Sequence, residues 1–381
     1  MPDFMNVDLD YPQAGWEDTL DYVLDAVKAE RPDFLLVAGD LVMGHWHGRQ
    51  ASPPSRAGAS RAAVGSASVA KAPAARSSIA HYAERYYGTW KARMTAHELK
   101  WYPAIGDHEL GDNPWRYPQA LDNVAAYKRA FRLHLGMPEN GPAELQGTAF
   151  YWVPKRVLFI AVDVFEPGTS NQGQIRPGVT GKQLAWLRHV IDTHPNVEHV
   201  IVMGHAPCIG PVRQWRSSGL MITGGRDSEF WHTLADRGIG LYLCGEVHAI
   251  TCTARDGVQQ IAHGGLIGYN TRTNYVVVDV FPNRVELTIK EIDLVPSGEK
   301  LWQPGTNRPL ERVDIRPESK PRGFIPVGTE TIDTRTRPHT FRAQRGYFLN
   351  QFDTSTTRGR PVFVNGGKAL PRINLDGTVT K

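Results

Sequence analysis

The sequence predicts an α/β sandwich, and three observations carry that reading. Short apolar runs of strand length alternate with amphipathic runs of helical period, the pattern of layered α/β folds. Several apolar runs end on glycine followed by a polar residue. A late pair of alternating runs reads as a β-hairpin, which makes the architecture mixed rather than fully parallel.

The elements follow in order. From Trp16 to Glu30 apolar residues recur at helical spacing as Leu20, Val23, Leu24 and Val27, and Pro32 ends the helix. The run from Phe34 to Ala38 is short and apolar and leads into Gly39-Asp40, as a buried strand would. Residues 49 to about 78 hold Ala, Ser, Gly, Pro and five basic residues without one acid, which predicts a flexible surface insertion. The aromatic-rich stretch His81 to Tyr102 reads as a helix and a strand ending at Gly106-Asp107, with its Trp and Tyr residues in packing roles. A further helix is expected around Leu121 to Leu135. Then come a strand at Val157 to Val162, a helix opening at Gln183, and a strand at His199 to Met203 ending in Gly204-His205. A helix from Ser228 to Arg237 precedes the strand Leu241 to Cys244, which ends in Gly245-Glu246. The hairpin joins Tyr275–Phe281 to Val285–Ile292 through Pro282-Asn283. These divisions give a domain over residues 1–295 and an irregular Pro-, Arg- and Thr-rich extension over 296–381.

Composition narrows the classes. Of 381 residues 41% are hydrophobic and 22% charged, the balance of a globular protein with a buried core. The net charge of +4 is modest, and the basic residues gather in the insertion rather than in an aromatic-lined groove, which argues against nucleic acid. Three cysteines, Cys208, Cys244 and Cys252, do not make a disulfide framework, though they leave room for one bridge. No apolar run reaches the roughly 18 residues of a membrane span, and the start MPDFMNVDLDYPQ lacks the features of a signal peptide. Read as it stands, this is a soluble cytoplasmic chain; a longer parent chain with an export signal would change that reading.

Four strand ends carry the chemistry: Gly39-Asp40, Gly106-Asp107-His108-Glu109, Gly204-His205 and Gly245-Glu246-Val247-His248. Loops at the carboxyl ends of strands can bring side chains to one point. Carboxylates and imidazoles without a cysteine suit a hard or borderline divalent ion such as manganese, iron or zinc. His45 and His47 have the spacing of a metal pair, but they open the insertion and read as surface loop residues. Met94 and Met203 read as core.

This ordered set resembles the calcineurin-like metallophosphoesterases, whose pattern runs D-x-H, G-D, G-N-H-D/E, G-H and G-H-x-H. The resemblance covers roughly residues 17 to 293 and implies a sandwich of two mixed β-sheets flanked by helices. It implies two divalent metal ions, Mn, Fe or Zn, and hydrolysis of a phosphomonoester or phosphodiester with a metal-bound water as nucleophile. By this match Asp40 bridges the ions, Asp107 replaces a metal-binding asparagine, and His205 and His248 are ligands. Glu246 replaces a ligand histidine, or else orients a neighbouring ligand. His108 matches the general acid, with Glu109 the acidic residue beside it.

The first block departs from the pattern. Asp3-Phe4-Met5 stands 37 residues before Asp40 (40 − 3), which makes Asp3 the candidate ligand and puts Met5 where a histidine is expected. Asp8 and Asp10 are alternatives. Only two residues precede Asp3, so most of a strand before the first helix is expected to lie upstream. The rival readings are a nuclease of the same fold and a binding scaffold that has lost catalysis. The expected partner is a small phosphate ester.

Overall fold

The structure is a computed structural model. It describes residues 14–42, 46, 72–111, 123–166, 175–210, 220–247, 250–263, 272–302, 309–315, 320–348, 372–373 and 379–380.

The chain opens with helix α1 (Ala14–Ala29), which buries Leu20, Val23, Leu24 and Val27 as their spacing requires. Strand β1 (Leu35–Val37) pairs in parallel with β2 (Trp101–Pro103). Between them runs helix α2 (Ala72–Ala96), whose Tyr86, Tyr87 and Trp90 are buried in the core. The expected insertion lies outside the described residues as far as 71, and from Ala72 onward its backbone is helical.

Helix α3 (Val124–Leu135) ends on Gly136 and leads to β3 (Phe150–Trp152) and β4 (Val157–Ala161). Helix α4 (Gly181–Asp192) precedes β5 (His199–Met203). Helix α5 (Glu229–Asp236), capped by the Ser228 hydroxyl on the Trp231 N–H, precedes β6 (Leu241–Cys244). A hairpin of β7 (Thr251–Arg255) and β8 (Val258–Ala262) then turns on Asp256-Gly257, both at positive φ. These strands form one mixed sheet in the order β3-β4-β5-β6-β8-β7, with β4, β5, β6 and β8 mutually parallel.

A second sheet is antiparallel throughout its described strands. It contains β9 (Arg272–Phe281), β10 (Arg284–Trp302), β11 (Pro309–Ile315), β12 (Ile325–Asp333) and β13 (Thr340–Gly346). A small pair, β14 (Arg372–Ile373) and β15 (Val379–Thr380), comes last.

Burial follows the two-residue period of the strands. Leu158 and Ile160 of β4 face the helices, while Val157 and Phe159 face the second sheet. Both faces are apolar because both are covered, which is why this strand reads as a continuous apolar run. Val157, Phe159, Ile201 and Leu241 from the first sheet pack on Val285, Leu287, Ile289, Val327 and Ile332 from the second. The α/β sandwich expected from the sequence is therefore present.

Two expectations are corrected. Residues beyond 295 do not all form an irregular extension: β10 runs through that position, and β12 lies along β10 with Val327 and Ile332 in the inter-sheet core. Strand β1 is not fully buried either, since Phe34, Leu35 and Leu36 are each half-buried. All three cysteines are buried free thiols.

Candidate metal centre

The loops after β1, β2, β5 and β6 meet at the carboxyl ends of their strands. Asp40, Asp107, His205 and Glu246 are all buried there, with His108 half-buried beside them. His205 is the hub. Its Nε2 lies 3.1 Å from Asp107 Oδ1, 3.3 Å from Glu246 Oε2 and 3.5 Å from Asp40 Oδ2. The donor atoms of Asp107, His205 and Glu246 lie within 4.8 Å of one another, and so do those of Asp40, Asp107 and His108. Asp107 belongs to both groups.

The other ring nitrogen fixes the chemistry. His205 Nδ1 is 2.6 Å from the carbonyl oxygen of Ala38, which can only accept, so Nδ1 carries a proton. A neutral imidazole would then turn the bare lone pair of Nε2 toward three carboxylates. That arrangement needs a second ring proton, a proton on one of the carboxyls, or a cation among them.

The titration of the group tells the same story. Burial pushes the Asp40 carboxyl well above the usual carboxylate range, Asp107 and Glu109 add to that, and His205 and His108 oppose it. Burial on its own would lower the His205 value, but Asp40, Asp107 and Glu246 raise the imidazole well above its ordinary range. Burial also works to raise Asp107, yet the charges of His108 and His205 hold its carboxyl below the usual value.

Backbone geometry delivers these side chains. Asp40 and Glu246 both sit at positive φ, 59° and 66°, an uncommon conformation that turns each off its strand. Gly39 has φ 95°, and a Cβ there would stand 2.6 Å from His205 Nδ1. A Cβ on Gly106 would collide with the Asp40 carboxylate. The glycines before the acidic residues thus let the two loops approach each other closely.

Glu109 holds the loops in place. Its buried carboxylate accepts from the backbone N–H groups of Asp40 at 2.8 Å, Leu41 at 2.5 Å, Val42 at 3.2 Å and Gly106 at 2.7 Å. The sequence placed Glu109 only as an acid beside His108. Its clamping role left no side-chain signature, because all four partners are main chain.

His108 opens a single 3-10 turn, His108–Leu110. Its N–H points to Asp40 Oδ1 at 3.4 Å, and its carbonyl accepts from Trp46 Nε1 at 3.0 Å. Trp46 is locked among Tyr86, Tyr87 and Tyr127, with ring centroids 5.3–5.8 Å apart. Aromatic packing from α2 and α3 therefore fixes the backbone that carries His108.

A second buried group, unmarked by the sequence reading, lies at the end of β4. Lys128 Nζ pairs with Asp163 Oδ2 at 2.7 Å and donates to the Phe165 carbonyl at 2.7 Å. The Phe165 ring lies 5.9 Å from that of His205. Asp163 ends an apolar strand as Asp40 does, and that position was the available signal; the preceding residue is Val162 rather than glycine.

Asp3, Met5, Asp8, Asp10, His45, His47 and His248 lie outside the described residues. The structure thus brings together four of the six expected ligands, with the expected general acid beside them.

No protein-family model matches the chain, and no curated protein matches it. Solved structures do match. One is a candidate 5′-nucleotidase from Staphylococcus aureus in complex with alpha-ketoglutarate, at 14% identity and TM-score 0.38. That match covers 69% of this chain and 45% of the other, so the chain spans less than half of that protein's length. Another is GAP50, the anchor in the inner membrane complex of Plasmodium, at 12% identity and TM-score 0.38, covering 95% and 96%. At such scores the site itself, rather than the likeness, carries the functional argument.

Proposed function

We propose that this chain is a metal-dependent hydrolase of phosphomonoesters or phosphodiesters. One observation carries the reading: the protonated Nδ1 of His205 leaves Nε2 facing three buried carboxylates. With His205 singly protonated and all three carboxyls ionised, the cluster would carry three negative charges removed from water, which is unfavourable without a cation. The donor set fits one. Asp107, His205 and Glu246 would hold a first divalent ion, with Asp40 reaching toward it. Asp40 and Asp107 would share a second ion with Asp3 and His248. Manganese, iron or zinc suits these oxygen and nitrogen donors. When bound, such ions supply Lewis-acid stabilisation of the phosphoryl oxygens and a nucleophile at neutral pH.

The chain's own residues supply the rest. His205 is fixed in one tautomer by the Ala38 carbonyl, as ligand histidines are oriented by a second hydrogen bond. Glu109 fixes the Asp40 loop against the Gly106 turn, so the carboxylates are pre-set rather than gathered on binding. His108 stands beside the cluster and is more exposed than the carboxylates, the position for handing a proton to a leaving oxygen. The positively charged chain would favour an anionic ester over a neutral one.

The test is hydrolysis of an aryl phosphate by purified protein, stripped with chelator and reloaded with manganese, iron or zinc in turn. Activity restored by at least one of these ions is expected. Full activity in the stripped protein, or none with any ion despite bound metal, would contradict the reading. Bound metal without turnover would instead fit the scaffold alternative.

A further inference from the structure

Lys128 and Asp163 form a buried ion pair that the hydrolytic reading leaves unused, with Lys128 Nζ 2.7 Å from Asp163 Oδ2. A pair withdrawn from water in this way adds little stability on its own account, so its geometry is the feature to explain. The two side chains hold both backbone groups of one residue. The Phe165 N–H donates to Asp163 Oδ1 at 3.0 Å, and the Phe165 carbonyl accepts from Lys128 Nζ at 2.7 Å. Helix α3 thus grips the loop after β4 through Lys128.

Helix α4 adds a second hold. The Gln183 amide accepts from the Asp163 N–H and donates to the Asp163 carbonyl, both at 2.8 Å, and it also donates to Glu166 at 3.1 Å. Side chains from two helices therefore set the backbone of residues 163–166.

What this fixed backbone presents to the metal centre is the Phe165 ring. The ring is buried, and its centroid lies 5.9 Å from that of His205 at an interplanar angle of 45°, within the range of aromatic contact. His205 has a use for such a contact. Its bond to the Ala38 carbonyl holds Nδ1. One hydrogen bond still leaves the plane of the imidazole free to tilt about that atom. A ring packed against it removes that freedom and keeps Nε2 directed at Asp40, Asp107 and Glu246.

We propose that Lys128 and Asp163 are positioning residues for the candidate metal centre, acting through Phe165 on the plane of His205. The consequence for metal binding rests on the hydrolytic reading, whereas the contact itself is a property of the chain. Lys128 is not a phosphate-binding cation in this scheme, because its ammonium is already shared between a carboxylate and a carbonyl. Groups that orient a ligand histidine change metal affinity by about 10–100-fold when removed, and a loss of that size is expected here.

Two variants test this, each checked for folding by circular dichroism. Phe165→Leu removes the ring and leaves the ion pair. Lys128→Met combined with Asp163→Asn removes both charges, leaves no buried charge unpaired, and keeps an oxygen for the Phe165 N–H. In chelator-stripped protein, the NMR shifts of the carbon-bound ring protons of His205 report the Phe165 ring through its ring current. They are expected to move in Phe165→Leu and to move the same way in the double variant. Zinc affinity, read by competition with a chelating dye, is expected to fall about 10–100-fold in both. Wild-type His205 shifts in the double variant would overturn the proposal, and so would unchanged zinc affinity in folded Phe165→Leu. Should the double variant not fold, Asp163→Asn alone is read by the same two criteria. A wild-type protein that binds no zinc would count against the hydrolytic reading, while the His205 shifts would still decide whether the pair sets the ring.

Discussion

Glu109 and Glu330 are both glutamates buried in this molecule, and their surroundings are opposite. Glu109 sits beneath the candidate site and accepts hydrogen bonds from four backbone N–H groups. Glu330 lies on β12 in the layer between the two sheets, and neither of its carboxylate oxygens has a hydrogen-bond partner. Burial pushes the Glu330 carboxyl up to about 8. The contrast shows two ways a carboxyl tolerates loss of water. One gathers main-chain donors, and so organises two loops. The other gives up its charge and organises nothing. Only the first arrangement is useful to a site, because it fixes geometry as well as surviving burial.

The comparison breaks most sharply at Glu109. Glu109→Ala leaves four buried N–H groups without an acceptor, and each such group costs about 1–3 kcal/mol. A loss of more than about 3 kcal/mol in denaturant unfolding is expected, together with loss of metal binding. Glu109→Gln keeps the shape but only one acceptor oxygen, so an intermediate loss is expected. Equal stability of all three proteins would mean that the clamp contributes nothing.

His108 rests on the same clamped turn, and its removal tests chemistry rather than geometry. His108→Ala should lower turnover on an aryl phosphate by about 10²–10⁴-fold, with metal content unchanged. The loss should shrink for substrates with good leaving groups, which need less protonation. An equal loss across leaving groups would assign His108 to phosphate binding alone.

The smallest effect is expected at Glu330, and its sign is opposite. The folded-state value of about 8 stands above the ordinary 4.5, so folding takes up a proton between those limits. Its contribution is fully present below about pH 4.5 and is lost as pH rises through about 8. Glu330→Gln should remove that slope and stabilise the protein near pH 8 by about 1–2 kcal/mol. Thermal unfolding across pH 5 to 9 reads the difference. A steeper slope in the variant would show that Glu330 is not the titrating group.

How far the sequence disclosed this depends on what each feature needs from side chains. β4, β5 and β6 were legible because both of their faces are covered, which forces a continuous apolar run. The strand-end residues Asp40, Asp107, His205 and Glu246 were legible because close approach demands a glycine before each of them. The Glu109 clamp was not, since its donors are main chain and any sequence supplies them. Strand β12 was missed because Gly328 and Glu330 stand at positions where an alternating strand would show apolar residues, and both are buried all the same. The half-burial of Leu35 and Leu36 was also invisible, because an apolar run does not say which neighbours it has.

The central claim is that a cation replaces the second ring proton between His205 Nε2 and the three carboxylates. Elemental analysis of protein equilibrated with manganese or zinc, alongside His205→Ala and Asp107→Ala with folding checked by circular dichroism, tests it most directly. The account predicts at least one tightly bound ion per wild-type chain and its loss in both folded variants. A folded wild-type protein that binds no transition metal, or variants that keep it, would contradict the account.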